Sequence, residues 1–343
     1  MHPSQLGILW IVVAHFAVRE PMAEGSTYSY TQSILAHTHV SVTIFIILSG
    51  FSMQWAHASF SPFAKRYSSE AVSDRLKRIL YELAHWYSHR LAKLVLLTWI
   101  SIAWTMALEW SLYDAWKVDL PYCLTFLEFW RIGSSGFTDK PAPAYCPNTP
   151  AWYVSALVPC WLLYPFFAPL VRACNSHKRA WLLWLLLLLF CLLAYLPVVI
   201  VMHQDDPPGF PNNVLLNFPA SEFADFFAGA TAAALARVHR PFLRRFLSPP
   251  DNPTHPSRSG TWWPRLLCSL AADGCILGVC FVVLERQYLG DTLVDEFDRL
   301  NNTIALRADA SMYHTASPAI AMWLFVSVAS GGMGLFSAFC RQP

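Results

Sequence analysis

The chain has 343 residues, is 55% hydrophobic and only 13% charged, and carries a net charge of +2. A water-soluble domain holds roughly a quarter charged residues, whereas apolar runs of roughly 20 residues mark helices that cross a bilayer. This balance excludes a nucleic-acid partner and a soluble enzyme, and it predicts a multi-pass integral membrane protein in contact with lipid.

Eight spans are expected, near residues 6–21, 37–57, 91–112, 150–171, 180–202, 218–237, 265–285 and 316–340. Together they predict an all-α, polytopic transmembrane bundle forming one domain over residues 1–343, with both termini cytosolic. Trp55, Trp110, Trp152, Trp181 and Trp263 fall near span ends, where an indole prefers the membrane interface.

The first span begins at Leu6 and carries one imidazole, His15. Nine residues at 1.5 Å each place His15 about 14 Å along the axis, near the bilayer midplane. An ionisable group at that depth marks a functional interior by default, although a hydrogen bond to a neighbouring helix would also satisfy it. No Lys or Arg precedes this run and no small-residue cleavage site follows it, so it reads as a retained span rather than a signal peptide.

In the second span, HVSVTIFIILSGF sets Ser49 and Gly50 in a branched aliphatic wall, a pair that lets two helices approach closely. His37 and His39 lie at its outer end. The connection from Ser59 to Lys93 is the longest on the inner side, and its second half reads as an amphipathic helix. Leu76, Ile79, Leu80, Leu83 and Trp86 recur there at helical spacing between basic residues, as in a helix resting on anionic lipid. Arg90 and Lys93 are three apart on one face where the third span begins. They are placed to grip a phosphate-bearing ligand, or to snorkel to lipid phosphates.

Cys123 and Cys146 share the next outer loop with Pro141, Pro143 and Pro147, and a disulfide between them is expected. The other cysteines lie mostly in spans and lack metal-site spacing, so no metal is expected. The fourth span opens with Pro150-Ala151-Trp152-Tyr153-Val154-Ser155, an aromatic pair and a hydroxyl at the outer interface. The sixth is rich in alanine and carries Glu222 and Asp225 on one face near its outer end, where water is an alternative partner for both acids. Asp273 in the seventh stands beside Gly274 and Gly278, a GxxxG packing face.

Charge decides whether the weak sixth span counts. With the N-terminus inside, seventeen Lys and Arg fall on the inner side, including Arg75, Lys77, Arg78, Arg172, Arg179, Arg237, Arg240, Arg244 and Arg245. Seven fall outside, as do most of the acids and the sequon at Asn301. Dropping the sixth span would spoil this positive-inside pattern.

The chain contains no GxSxG elbow, Walker loop, GxGxxG fingerprint or HExxH pair. It resembles instead the membrane acyltransferase-3 family. The likeness rests on the histidine of LGILWIVVAHF and on Phe45-Ile46-Ile47-Leu48-Ser49-Gly50-Phe51. It continues through Arg90-Leu91-Ala92-Lys93, Trp152-Tyr153-Val154-Ser155 and Asp225-Phe226-Phe227-Ala228-Gly229, in the family's order. Ser4 stands where family members commonly carry an arginine, Lys93 replaces a second arginine, and Leu157 stands where some branches carry a glutamate. The chain ends at Pro343, before the closing helix typical of the family, which fits a member shortened at both ends.

The resemblance implies transfer of an acyl group, acetyl included, from acyl-CoA to a hydroxyl of a carbohydrate or other small acceptor. No cofactor is bound, and acyl-CoA serves as co-substrate. His15 is the expected general base, because a histidine titrates near neutral pH. Arg90 and Lys93 would bind the donor's phosphates from the cytosolic side. Ser49, Trp152, Ser155, Glu222 and Asp225 are candidates for acceptor contacts or for supporting the base. Two readings compete with this one. His15, Glu222, Asp225 and Asp273 would serve as a proton relay in a small-solute transporter, and an inactive relative would serve as a scaffold.

Overall fold

The computed structural model describes residues 38–58, 60, 62–63, 72–108, 120–127, 152–174, 179–203, 219–247, 266–275, 277 and 317–330. All the regular structure among them is helical. In chain order the helices are α1 Thr38–His57, α2 Val72–Leu108, α3 Leu120–Leu124, α4 Trp152–Cys174, α5 Ala180–His203, α6 Pro219–Leu247, α7 Leu266–Cys275 and α8 Ser317–Ala329. Two helical segments, Val72–Leu108 and Val154–Cys174, are long and apolar enough to cross a membrane. The expected span over residues 6–21, and with it His15, lies outside the described residues.

The amphipathic segment and the third span are one continuous helix. The 37 residues of α2 contain neither proline nor glycine, so nothing stops the helix where the chain turns from charged to apolar. α4 holds Pro159, Pro165 and Pro169 without breaking. Inside a membrane, neighbouring helices and side chains re-satisfy the carbonyls that each proline frees. α6 runs ten residues past the expected end of its span, to Leu247.

The chain divides into two units. The first comprises Met1–Ala56, Cys174–His203 and Ala224–Pro343. Its core is the crossing of α1 and α6. Gly50 and Gly229 allow it, for a Cβ on Gly50 would fall on the carbonyl of Phe226, whose carbon is 2.8 Å away. A Cβ on Gly229 would fall in turn on the carbonyl of Ile47, also with its carbon at 2.8 Å. Backbone therefore meets backbone, the small-residue packing on which helices rely in lipid. Farther along the same pair, Arg237 of α6 donates to the carbonyl of Trp55 in α1. Contacts advance together along both helices, so α1 and α6 run in the same direction. On its other side α6 meets α5 through Phe190 and Phe227 at 5.6 Å, and through Trp184 and His239 at 6.1 Å. The order of these contacts makes α5 antiparallel to α6. Phe325 of α8 closes the group edge-on against both Trp184 and His239.

The second unit comprises His57–Ala173 and Gln204–Phe223. Trp86 is its centre, stacked on Phe60 at 5.5 Å and on Tyr164 at 5.8 Å. One residue on, the Tyr87 hydroxyl donates to the Leu162 carbonyl at 2.8 Å. These contacts fasten α4 and the chain just after α1 to the middle of α2. Nearer the other end of α2, the Trp99 indole N–H donates to the Leu124 carbonyl at 3.0 Å, and Ile102 packs on Cys123. α3 ends in a Schellman turn: Leu127 N–H reaches the Tyr122 carbonyl and Phe126 N–H reaches that of Cys123. Phe126 holds the left-handed position at φ 59°, where glycine is usual, and its ring is buried. Cys123 is disulfide-bonded. Its expected partner, Cys146, lies outside the described residues.

Gly274 is exposed, and among the described residues nothing would meet a Cβ there within 4 Å, while Gly278, the other half of the expected packing face, lies outside the described residues. Ser269, one turn back on the same helix, donates its hydroxyl to Asp273 at 3.4 Å.

Candidate functional site

The polar residues inside this apolar frame fall into three groups, and the helix crossing organises the first. Asp225 of α6 is fully buried in the first unit, immediately before Phe226, whose carbonyl Gly50 meets. Every alanine from Ala224 to Ala236 is buried around it. Cys191 of α5 is close enough to feel its charge. A carboxylate in such surroundings costs several kcal/mol unless it is satisfied, so its presence needs a function or a partner. Ser49, the residue before the crossing glycine, is half-buried, and its carbonyl accepts from Ser52 Oγ at 3.0 Å.

The second group lies in the second unit. Arg90 is half-buried on α2 with its guanidinium against His57 Nε2. A guanidinium only donates, so this imidazole is neutral, accepts at Nε2 and carries its proton on Nδ1. Lys93, one turn on, is exposed to solvent. The expected pair is thus unequal: Arg90 is oriented, while Lys93 is a free-standing charge. One turn before Arg90 on α2, the buried Trp86 leaves its indole N–H without a hydrogen-bond partner. Ser155 of α4 and Glu222 of α6 are also buried in this unit, which removes the alternative that Glu222 reaches water. Trp152 opens α4, and its side chain lies outside the described residues.

The third group was not expected. Arg237 and Arg240 both stand over the Trp55 ring, their guanidinium carbons 4.8 and 5.3 Å from its centre. A cation over an indole gains about 0.5–1 kcal/mol, or about 2 when desolvated. From the sequence these residues are an interfacial tryptophan and two inner-side charges. The i,i+3 spacing of the arginines, the same as that of Arg90 and Lys93, was the available signal. His57 gave less, being the last residue of a span and one of 12 histidines.

Among the described residues no group of three or more His, Cys, Asp or Glu side chains could hold a metal ion. The arrangement offers a buried acid beside a tight helix crossing, an oriented guanidinium and an arginine–indole cluster.

A family model described as an acyltransferase domain, of the acyltransferase-3 type, matches residues 6–340. The protein belongs to that family, whose members are membrane acyltransferases. Comparison with curated proteins and with solved structures gives no match.

Proposed function

We propose that the protein is a membrane O-acyltransferase that moves an acyl group, acetyl included, from acyl-CoA to the hydroxyl of a carbohydrate or other small acceptor. The observation that carries this reading is Arg90. It is a guanidinium held in place by a neutral histidine. Such a fork suits the phosphates of a CoA donor, which a point charge such as Lys93 serves less well.

In this reading His15 is the general base. It takes the proton of the acceptor hydroxyl as that oxygen attacks the thioester carbonyl, and the CoA thiolate leaves with a proton returned to it. Arg90 and Lys93 hold the donor's phosphates on the cytosolic side. Ser49, Trp152, Ser155, Glu222 and Asp225 bind the acceptor or support the base. The excess of Lys and Arg on that side supports a topology with the donor inside, and the shared direction of α1 and α6 supports the count of spans between them. With three spans between them, the second and sixth spans of an eight-span chain must run the same way.

The test is acetyl transfer from radiolabelled acetyl-CoA in membranes carrying the protein, with a panel of sugar acceptors. Wild-type protein is expected to transfer label, and His15→Ala to lose at least 100-fold in kcat, the lower range for removing a general base. Transfer by His15→Ala at the wild-type rate would remove His15 from the mechanism. Solute uptake driven by a pH step in proteoliposomes without acyl-CoA would instead establish the transporter.

A further inference from the structure

We propose that Arg240, held over Trp55 beside Arg237, is a phosphate-binding site. The two arginines share an indole but do different work. Arg237 donates to the carbonyl of Trp55, one of the last-turn carbonyls of α1 that no helical N–H reaches. It closes the end of that helix. Arg240 lies over the same ring, and its Nε, like that of Arg237, is buried without a hydrogen-bond partner.

Among the described residues of its unit, no acid lies near its charge. The acids among the described residues of this unit are Asp225 and Asp273. Asp225 is fifteen residues back on the same helix, about 22 Å along the axis. Asp273 accepts the Ser269 hydroxyl on α7. A buried N–H without a partner, on a guanidinium with no acid near it among the described residues, suits an anion with several acceptor oxygens.

The indole decides which anion. A guanidinium held over an indole keeps its planar fork of N–H groups, whose spacing matches two phosphate oxygens. The ring also fixes the fork in advance, so less side-chain freedom is lost when the anion arrives. A phosphate has two sources on this side of the molecule: the 3′-phosphate of a nucleotide such as CoA, or the headgroup of an anionic lipid. The site's chemistry is the same for both, and it does not depend on the acyl-transfer reading.

Phenylglyoxal labelling of Arg240, read by peptide mass spectrometry, tests this on the wild-type protein in phosphatidylcholine nanodiscs. Three probes are compared with none: CoA, dephospho-CoA, and phosphatidylglycerol built into the disc. Labelling at Arg240 is expected to slow at least fivefold with CoA or with phosphatidylglycerol. Protection by CoA but not by dephospho-CoA identifies the nucleotide's 3′-phosphate, and protection by phosphatidylglycerol identifies a headgroup. Labelling unchanged by every probe overturns the proposal, whether or not Arg90 is protected in the same samples. For the protecting probe, Arg240→Gln is expected to weaken binding about tenfold and Arg240→Lys less. Wild-type affinity in Arg240→Gln would also overturn it.

Discussion

α2 and α6 reverse what hydropathy leads one to expect of them. α2 carries one of the clearest apolar runs in the chain, yet only 11% of that run is buried, and Leu96, Leu97, Ile100 and Trp104 are exposed. α6 is weakly apolar, rich in alanine and burdened with two acids, yet from Ala224 to Ala236 nothing in it is exposed. The difference is physical. Lipid tails are as apolar as leucine, so large aliphatic side chains gain little by turning inward, while small ones let backbones meet and gain dispersion contacts. Average hydropathy reports the face toward lipid, and small-residue spacing reports the contact between helices.

The largest expected effect breaks the α1–α6 contact directly. Gly50→Ala and Gly229→Ala each push a methyl into a carbonyl that belongs to a helix and cannot rotate away. Each should destabilise by the upper end of the roughly 1–3 kcal/mol typical of overpacking. Thermal unfolding of the detergent-solubilised protein measures this, with Gly274→Ala as the control, since a Cβ there meets open space. Equal midpoints for Gly50→Ala and Gly274→Ala would show that the crossing is looser than described.

Much of this contact was legible in the sequence. Ser49-Gly50 stood out because an all-aliphatic stretch has no other use for a glycine, and α6 emerged from charge parity when its hydropathy was weak. What could not be read was which helix meets which. Gly50 and Gly229 are 179 positions apart, and nothing local to either names the other. Gly274 has the same kind of spacing to Gly278, yet among the described residues nothing approaches it. The partners of Arg90 and Arg237 escaped for the same reason as the crossing. An arginine's charge is evident from the sequence, but the orientation that His57 or Trp55 gives it exists only after folding.

A middle-sized effect separates an oriented guanidinium from a mere charge, and it lies on α2, not on α6. Arg90→Ala should raise the KM for acyl-CoA about tenfold, close to 1.4 kcal/mol, with less change in the KM for the acceptor. Arg90→Lys keeps the charge without the fork and should recover only part of the loss. His57→Ala should raise the same KM by less than Arg90→Ala, and His57→Gln, which restores an acceptor for Arg90, should fall between that variant and wild type. Steady-state kinetics in membranes distinguishes these cases. A His57→Ala variant with wild-type KM for both substrates would mean that Arg90 needs no support to reach its ligand.

The smallest effect is expected on the exposed face of α2. Leu97 is 66% exposed, and in a bilayer its side chain meets acyl tails both in the folded bundle and in the separated helix. The transfer term that makes a buried leucine costly to lose then cancels between the two states. Leu97→Ala should change stability by less than about 0.5 kcal/mol, as surface substitutions usually do. The same thermal unfolding assay decides it. A loss of 2 kcal/mol or more, in the range of a core leucine, would mean that protein rather than lipid covers this face, and α2 would join α6 as a helix whose contacts its composition hides.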